Sequence, residues 1–361
     1  MAELGVAGCI GTTCVKLEIL NPEILGALSK TTFSILLPMF LGTSVMKTIA
    51  TYGVNLSSVL VPLIAIFHSL VLFALSKNIL LPLFGIDSET DEGRATSVCC
   101  AFNNAGVVPL IFSEALFRHD EPSKLNNCYA QISLYLAGWS PVFWSFGRNV
   151  LIGNHKEHSP SSGKSLSQKV QNVAKLFPPP VIATLIGVFI ALSPLQSLFM
   201  SSSEKRAPLS VVYNSLQNFG RAASPLSLLV LTSSLAIGAG MNANISESTT
   251  FQTKTEVSLF RRWAVLSLTR FVLSPLLMLT TLKSMAKMSL LKSADADPML
   301  WFVLILESCM PPAQNSVLML QVANMRSAAS SMAKFLFSIY MTSMIPIVII
   351  VSYSIHALRL Q

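Results

Sequence analysis

Two short stretches put helix breakers and amides inside otherwise apolar runs. The first, Asn103-Asn104-Ala105-Gly106-Val107-Val108-Pro109-Leu110, sets two carboxamides ahead of a glycine and a proline. The second runs from Glu307 through Met310-Pro311-Pro312-Ala313-Gln314-Asn315, an acid and two consecutive prolines followed by two amides. Proline removes a backbone N–H and clashes with the carbonyl one turn earlier, so both helices are predicted to break here. In lipid, a broken backbone survives only where it is buried in protein or lines a wet cavity. Broken helix ends present unpaired N–H groups with partial positive charge, which suit an anion. The chemistry predicted is therefore non-covalent capture of a small anion. Its candidate residues are Asn103, Asn104, Gly106, Pro109, Pro311, Pro312, Gln314 and Asn315, whose amides donate to a carboxylate without carrying charge. Hydrogen bonding of the same amides between helices is the ordinary alternative, at about 0.6 kcal/mol each. Two clusters at matching places weigh for the site.

Glu307 has two open readings. A carboxyl at the bilayer centre costs about 2.5–3.5 kcal/mol on insertion scales, so it needs a reason. It could hold a coupling proton or sodium ion, or it could be a structural acid paired with a base, and Arg270 in "SLTRFVLSP" is the nearest base by topology. His68 and Glu114 also fall inside apolar runs; Glu114 lies one turn before Arg118 and can snorkel.

The elements that must position these groups are membrane helices. Of 361 residues, 52% are hydrophobic and 12% charged, against roughly 25% charged in soluble domains. Runs long enough to cross a bilayer number about ten, at 3–16, 26–49, 57–83, 95–117, 128–149, 173–194, 222–242, 258–283, 299–323 and 332–357. The first is short and led by an acid, a short span or a re-entrant segment. The class expected is an all-α polytopic membrane protein. A polar, serine-rich stretch, 151–172, divides a first five-helix unit, 1–150, from a second, 173–361. Two units with an odd number of spans enter from opposite faces, which makes them inverted repeats. Pro38 and Pro225 recur in the second span of each half, and the breaker-plus-amide clusters fall in the fourth and ninth.

The net charge of +8 does not call for nucleic acid, because in a membrane protein it is read loop by loop. Fourteen Lys and Arg residues lie on the face of the middle linker and ten on the other, which places that linker in the cytosol. The six cysteines form no Cys-x-x-Cys pair and read as small packing residues. No disulfide, metal site or cofactor is expected, and His155 and His158 read as a solvated loop. The chain lacks the phosphate loop, nucleophile elbow and His-Glu-x-x-His motifs of soluble enzymes, so it is not read as an enzyme. Asn55-Leu-Ser and Asn244-Ile-Ser are sequons that ten spans put on opposite faces.

The stretches "NPEILGALSKTTFSILLPMFL", "CCAFNNAGVVPLIF" and "CMPPAQNSVLMLQVAN" resemble the auxin efflux carrier superfamily, most closely its PIN-LIKES branch. That resemblance implies a ten-helix inverted-repeat fold in which two proline-broken helices, the fourth and ninth, cross near the substrate. It implies transport of auxin (indole-3-acetic acid) or a related small organic anion, and an endoplasmic reticulum membrane ahead of the plasma membrane. Asn104, Gly106 and Pro109 match the branch pattern, whereas Asn103 and Val107 stand where it has glycine and asparagine. Met310, Pro311, Pro312, Ala313 and Asn315 fit its ninth-span pattern. Glu307 with Gln314 is similar to sodium-coupled bile-acid carriers. The function expected is secondary transport by alternating access, the first two spans of each half rocking against the crossing. A sodium- or proton-coupled carrier of other organic acids and a non-transporting membrane receptor or regulator are the rivals. The partners expected are the anion and the lipid bilayer, with a homodimer left open.

Overall fold

A computed structural model describes residues 2–53, 56–117, 122–153, 178–200, 207–238 and 259–360. Arg118, most of the middle linker with His155 and His158, and the sequon residues Asn55 and Asn244 lie outside them. Among the described residues the regular structure is helical, apart from one isolated antiparallel bridge between Asn103 and Pro312.

Prolines shape these helices. Pro38, Pro82 and Pro275 each follow a π turn, at Thr32–Leu36, Ser76–Leu80 and Thr269–Leu273. The extra residue of a π turn moves the carbonyl that the ring would strike, so each helix runs on through its proline. The helices longer than one turn are, among the described residues, α1 (Ala2–Lys16), α2 (22–52), α3 (56–83), α4 (Asp91–Ala101), α5 (Val107–Phe117), α6 (122–152), α7 (Pro179–Leu192), α8 (Ser210–Arg221), α9 (Ala223–Gly238), α10 (259–287), α11 (Pro298–Ser308), α12 (Asn315–Val322) and α13 (Arg326–Ala357). Among the described residues four stretches are long and apolar enough to cross a membrane, Pro22–Thr51, Val59–Leu83, Leu259–Lys287 and Ser327–Ala357. The runs at 95–117 and 299–323 fall short of that length because each is divided, into α4 and α5 and into α11 and α12. Large apolar side chains such as Phe189, Leu192, Ile345 and Ile349 face outward, as a surface against lipid requires.

Close helix pairs join the two halves of the chain. In α2 and α7, Gly42 and Gly187 meet face to face, and a Cβ on Gly42 would lie 2.9 Å from the Ala183 carbonyl oxygen. Gly11 of α1 meets Thr232 and Ser233 of α9 with no room for a side chain. Small residues at such crossings let membrane helices approach and pack. These contacts go with two small apolar clusters, one around Val15, Leu25 and Val230 and one around Met46, Ala191 and Tyr213. The main core, with Phe102, Tyr135, Trp144, Phe302 and Phe335, surrounds the divided helices. Gly187→Leu is expected to destabilise the purified protein by about 1–3 kcal/mol through overpacking, read as a lower unfolding temperature in detergent. Gly26→Leu, at a glycine with open space around it, is the matched control and should change little.

Candidate functional site

Each divided helix is ordered up to its break. Thr90 caps the start of α4, its Oγ1 accepting from the Gly93 N–H at 3.1 Å, with Asp91 and Glu92 in the first turn. Asp297 caps α11 through the Leu300 N–H at 3.2 Å, and Pro298 follows at the first helical position. Both helices then stop, and the two extended segments pair. The Asn104 N–H donates to the Pro311 carbonyl at 2.7 Å, and the Ala313 N–H donates to the Phe102 carbonyl at 2.9 Å. One rung in each direction makes the crossing reciprocal.

Side chains satisfy the carbonyls that the breaks set free. Arg270, fully buried, donates from Nε to Met310 at 3.0 Å, from one terminal nitrogen to Ser308 at 3.2 Å and from the other to Cys100 at 3.4 Å. Ser274 Oγ adds a 2.6 Å bond to Ser308 O, and the imidazole of His68 lies 3.2 Å from Ser274 O. Tyr340 donates to the Pro312 carbonyl at 2.8 Å and accepts from Asn104 Nδ2 at 2.7 Å. Asn103 Nδ2 serves Glu307 twice, at 2.9 Å to the backbone oxygen and 2.7 Å to Oε2. Tyr135 reaches Asn103 Oδ1 at 3.5 Å. Glu307, with no exposed surface, is therefore held by an amide, whereas Arg270 is engaged by backbone carbonyls of both breaks.

On one side of the crossing lies an open cleft. Asn104, Gly106, Gln314 and Asn315 line it, and the N-termini of α5 and α12 adjoin it. Asn103, Pro109, Pro311 and Pro312 do not line it: Asn103 turns to Glu307, and the prolines shape the backbone behind. Four buried polar atoms of cleft residues have no protein partner, namely Trp139 Nε1, Ser140 Oγ, Gln314 Nε2 and Asn315 Oδ1. An unsatisfied buried donor costs about 1–3 kcal/mol, so a ligand that accepts from Trp139 Nε1, Ser140 Oγ or Gln314 Nε2 recovers that energy. The cleft wall is aromatic: Phe40, Trp139 and Trp144 line it, and Trp139 stacks on Phe143 with ring centroids 4.4 Å apart.

The wall was not legible in an ordinary aromatic count. Its one sequence signal is the pair of tryptophans in "GWSPVFWSFG" within the fifth run. Glu114, an expected snorkelling acid, accepts from Tyr129 at 2.7 Å on the exposed side of α5. Among the described residues no cluster of His, Cys, Asp or Glu could hold a metal ion, and the cysteines are unpaired.

Comparison with known proteins gives one family match and several relatives. A family model described as "Membrane transport protein" matches residues 1–351. The chain is similar to Protein PIN-LIKES 3 of Arabidopsis thaliana, 24% identical over 259 residues, covering 60% of this chain and 61% of that protein. It is similar to Protein PIN-LIKES 1 of the same plant, 24% identical over 340 residues, covering 83% and 66%. With Protein PIN-LIKES 4 the identity is 30% over 152 residues, covering 42% and 33%. The matched region thus spans under two thirds of the length of PIN-LIKES 3 and PIN-LIKES 4, and 66% of PIN-LIKES 1.

Proposed function

Because the chain belongs to the membrane transport protein family, that of the auxin efflux carriers, we propose that it moves a small organic anion by alternating access. The family is one of transporters, not enzymes. The substrate we assign is a carboxylate on an aromatic body, with indole-3-acetic acid as the first probe. One observation favours this most: the N-termini of α5 and α12 and the unpartnered donors Gln314 Nε2 and Trp139 Nε1 share one aromatic cleft. Helix N-termini and N–H donors favour the carboxylate, and Phe40 and Trp144 offer faces for a ring.

The architecture proposed is ten spans in two inverted repeats, with α4/α5 and α11/α12 as the crossing. The reciprocal rungs Asn104–Pro311 and Ala313–Phe102 support it. So does the exchange of partners, the first span against the seventh and the sixth against the second. In the motion proposed, α1, α2, α7 and α9 form the body that rocks, in keeping with the close packing of α1 on α9 and of α2 on α7. The membrane assigned is the endoplasmic reticulum, on the strength of the resemblance to the PIN-LIKES branch. Fractionation with organelle markers tests that, and a plasma-membrane peak would overturn it.

A second reading, ion-coupled transport, has one observation in its favour: Glu307 Oε1 is buried without a partner. Uptake into vesicles of labelled indole-3-acetate, malate and a bile acid separates the readings. The expected result is saturable uptake of indole-3-acetate, retained in Glu307→Gln and indifferent to sodium and pH. Preference for a bile acid with sodium dependence would favour the coupled reading instead, and binding without flux would favour a receptor.

A further inference from the structure

Arg270 is a full charge with no exposed surface, carried on the π turn of α10. Burying a guanidinium is tolerated only where hydrogen bonds and opposite charge meet it. Among its hydrogen-bond acceptors are three carbonyls: Cys100 in the last turn of α4, Ser308 at the end of α11, and Met310 just beyond. The oxygens come from both divided helices at the same end of each. Each helix C-terminus is equivalent to about half a negative charge, so two of them amount to about one. One guanidinium balances that sum. Carbonyls from unwound backbone and half-helix C-termini, converging on one point, are the donor set by which membrane carriers hold an alkali cation. Here a side chain of the protein fills the position. Glu307 is not one of the hydrogen-bond acceptors given above: its Oε2 accepts from Asn103.

We propose that Arg270 is a tethered counter-ion in a cation site built from the C-terminal ends of α4 and α11, so that the substrate anion crosses without a co-bound metal cation. The first half stands on the geometry alone, and the second rests on the transport reading above. The charge layout of the crossing follows from it: the positive helix ends face the cleft and its anion, while the negative ends face a permanent cation on the far side. Arg270 is a positioning residue, because it holds the two breaks together without lining the cleft.

The test is chemical rescue. Purified Arg270→Ala is unfolded thermally in detergent with low-millimolar guanidinium chloride, sodium chloride or N-methylglucamine chloride. Guanidinium is expected to raise its unfolding temperature and to leave the wild type unchanged. In vesicles, wild-type uptake of indole-3-acetate is expected to be equal in sodium and N-methylglucamine. Arg270→Ala should lose about tenfold or more, the worth of one charge-assisted hydrogen bond, and recover when guanidinium or sodium is added. If Arg270→Ala does not fold, Arg270→Lys and Arg270→Gln replace it: the lysine variant should stay indifferent to added cations and the glutamine variant should require them. Equal guanidinium effects on variant and wild type, full uptake by Arg270→Ala in N-methylglucamine, or sodium dependence of the wild type would each overturn the proposal. A wild type that moves no anion would sink the transport reading alone, and the thermal arm would still decide the counter-ion.

Discussion

Gln314→Glu is expected to abolish binding of indole-3-acetate, and Gln314→Leu to weaken it by about ten- to a hundredfold. Gln314 follows the second break, 3% exposed, and its Oε1 receives a long 3.5 Å contact from Asn104 Nδ2. Its Nε2 is buried without a partner, and the residue lines the cleft. A carboxylate that accepts from this amide gains a charge-assisted hydrogen bond, worth about 1.5–3 kcal/mol. Leucine removes the donor and keeps the volume, so the loss should be of that size. Glutamate keeps the shape but turns an acid toward an acid, and in a partly dry cleft that repulsion is weakly screened. Titration calorimetry on purified protein reads both. A cleft built for a cation would reverse the order, with Gln314→Glu binding its ligand more tightly than Gln314→Leu.

The second large effect is structural. Asn103→Leu should lower the stability of the protein by about 1–3 kcal/mol or more, because it strips a buried acid of its partner. The amide of Asn103 bonds both the backbone oxygen and Oε2 of Glu307, and neither residue reaches solvent. Leucine takes away the donor to Oε2, and Oε1 already has no partner. Glu307→Gln keeps an oxygen for the Asn103 amide and should cost far less. In Glu307→Gln/Asn103→Leu the penalty should be smaller than the sum of the single changes, since no acid remains to be orphaned. Thermal unfolding of the four proteins in one detergent measures this, and additive effects would mean that the two side chains do not communicate.

The division of the two helices was legible because breakers are local signals. Pro311 and Pro312 fall in the gap between α11 and α12, whereas Pro109 falls in the first turn of α5, just after the gap at 102–106. What the amides do there was not legible, because it depends on the partner segment. Asn103 and Asn104 are neighbours in sequence, yet one turns to Glu307 and the other to Tyr340 and the cleft. Of the two open readings of Glu307, a pairing with Arg270 is not among the hydrogen bonds described: broken helices offer uncompensated carbonyls, which engage the guanidinium, and the nearby amide holds the acid. The aromatic wall was hidden for a geometric reason. Trp139 and Trp144 are five residues apart, about 140° around an α-helix, but the π turn Phe143–Gly147 intervenes and both line the cleft. No hydrophobic period announces a π turn.

The same holds for span lengths. Among the described residues four helices are both long and apolar enough to cross a membrane, and others, such as Pro179–Leu192, are apolar but shorter. Apolar runs in the sequence mark where chain meets lipid, while breaks and caps decide where one helix ends.

The most direct measurement is a structure of the protein with indole-3-acetate bound. The expected result places the carboxylate within hydrogen-bonding distance of Gln314 Nε2 and Trp139 Nε1, ahead of the first turns of α5 and α12, with the ring against Phe40 and Trp144. A ligand seated elsewhere, such as the apolar groove of Val108, Phe112 and Tyr340 between α5 and α13, with Gln314 still unpartnered, would contradict it.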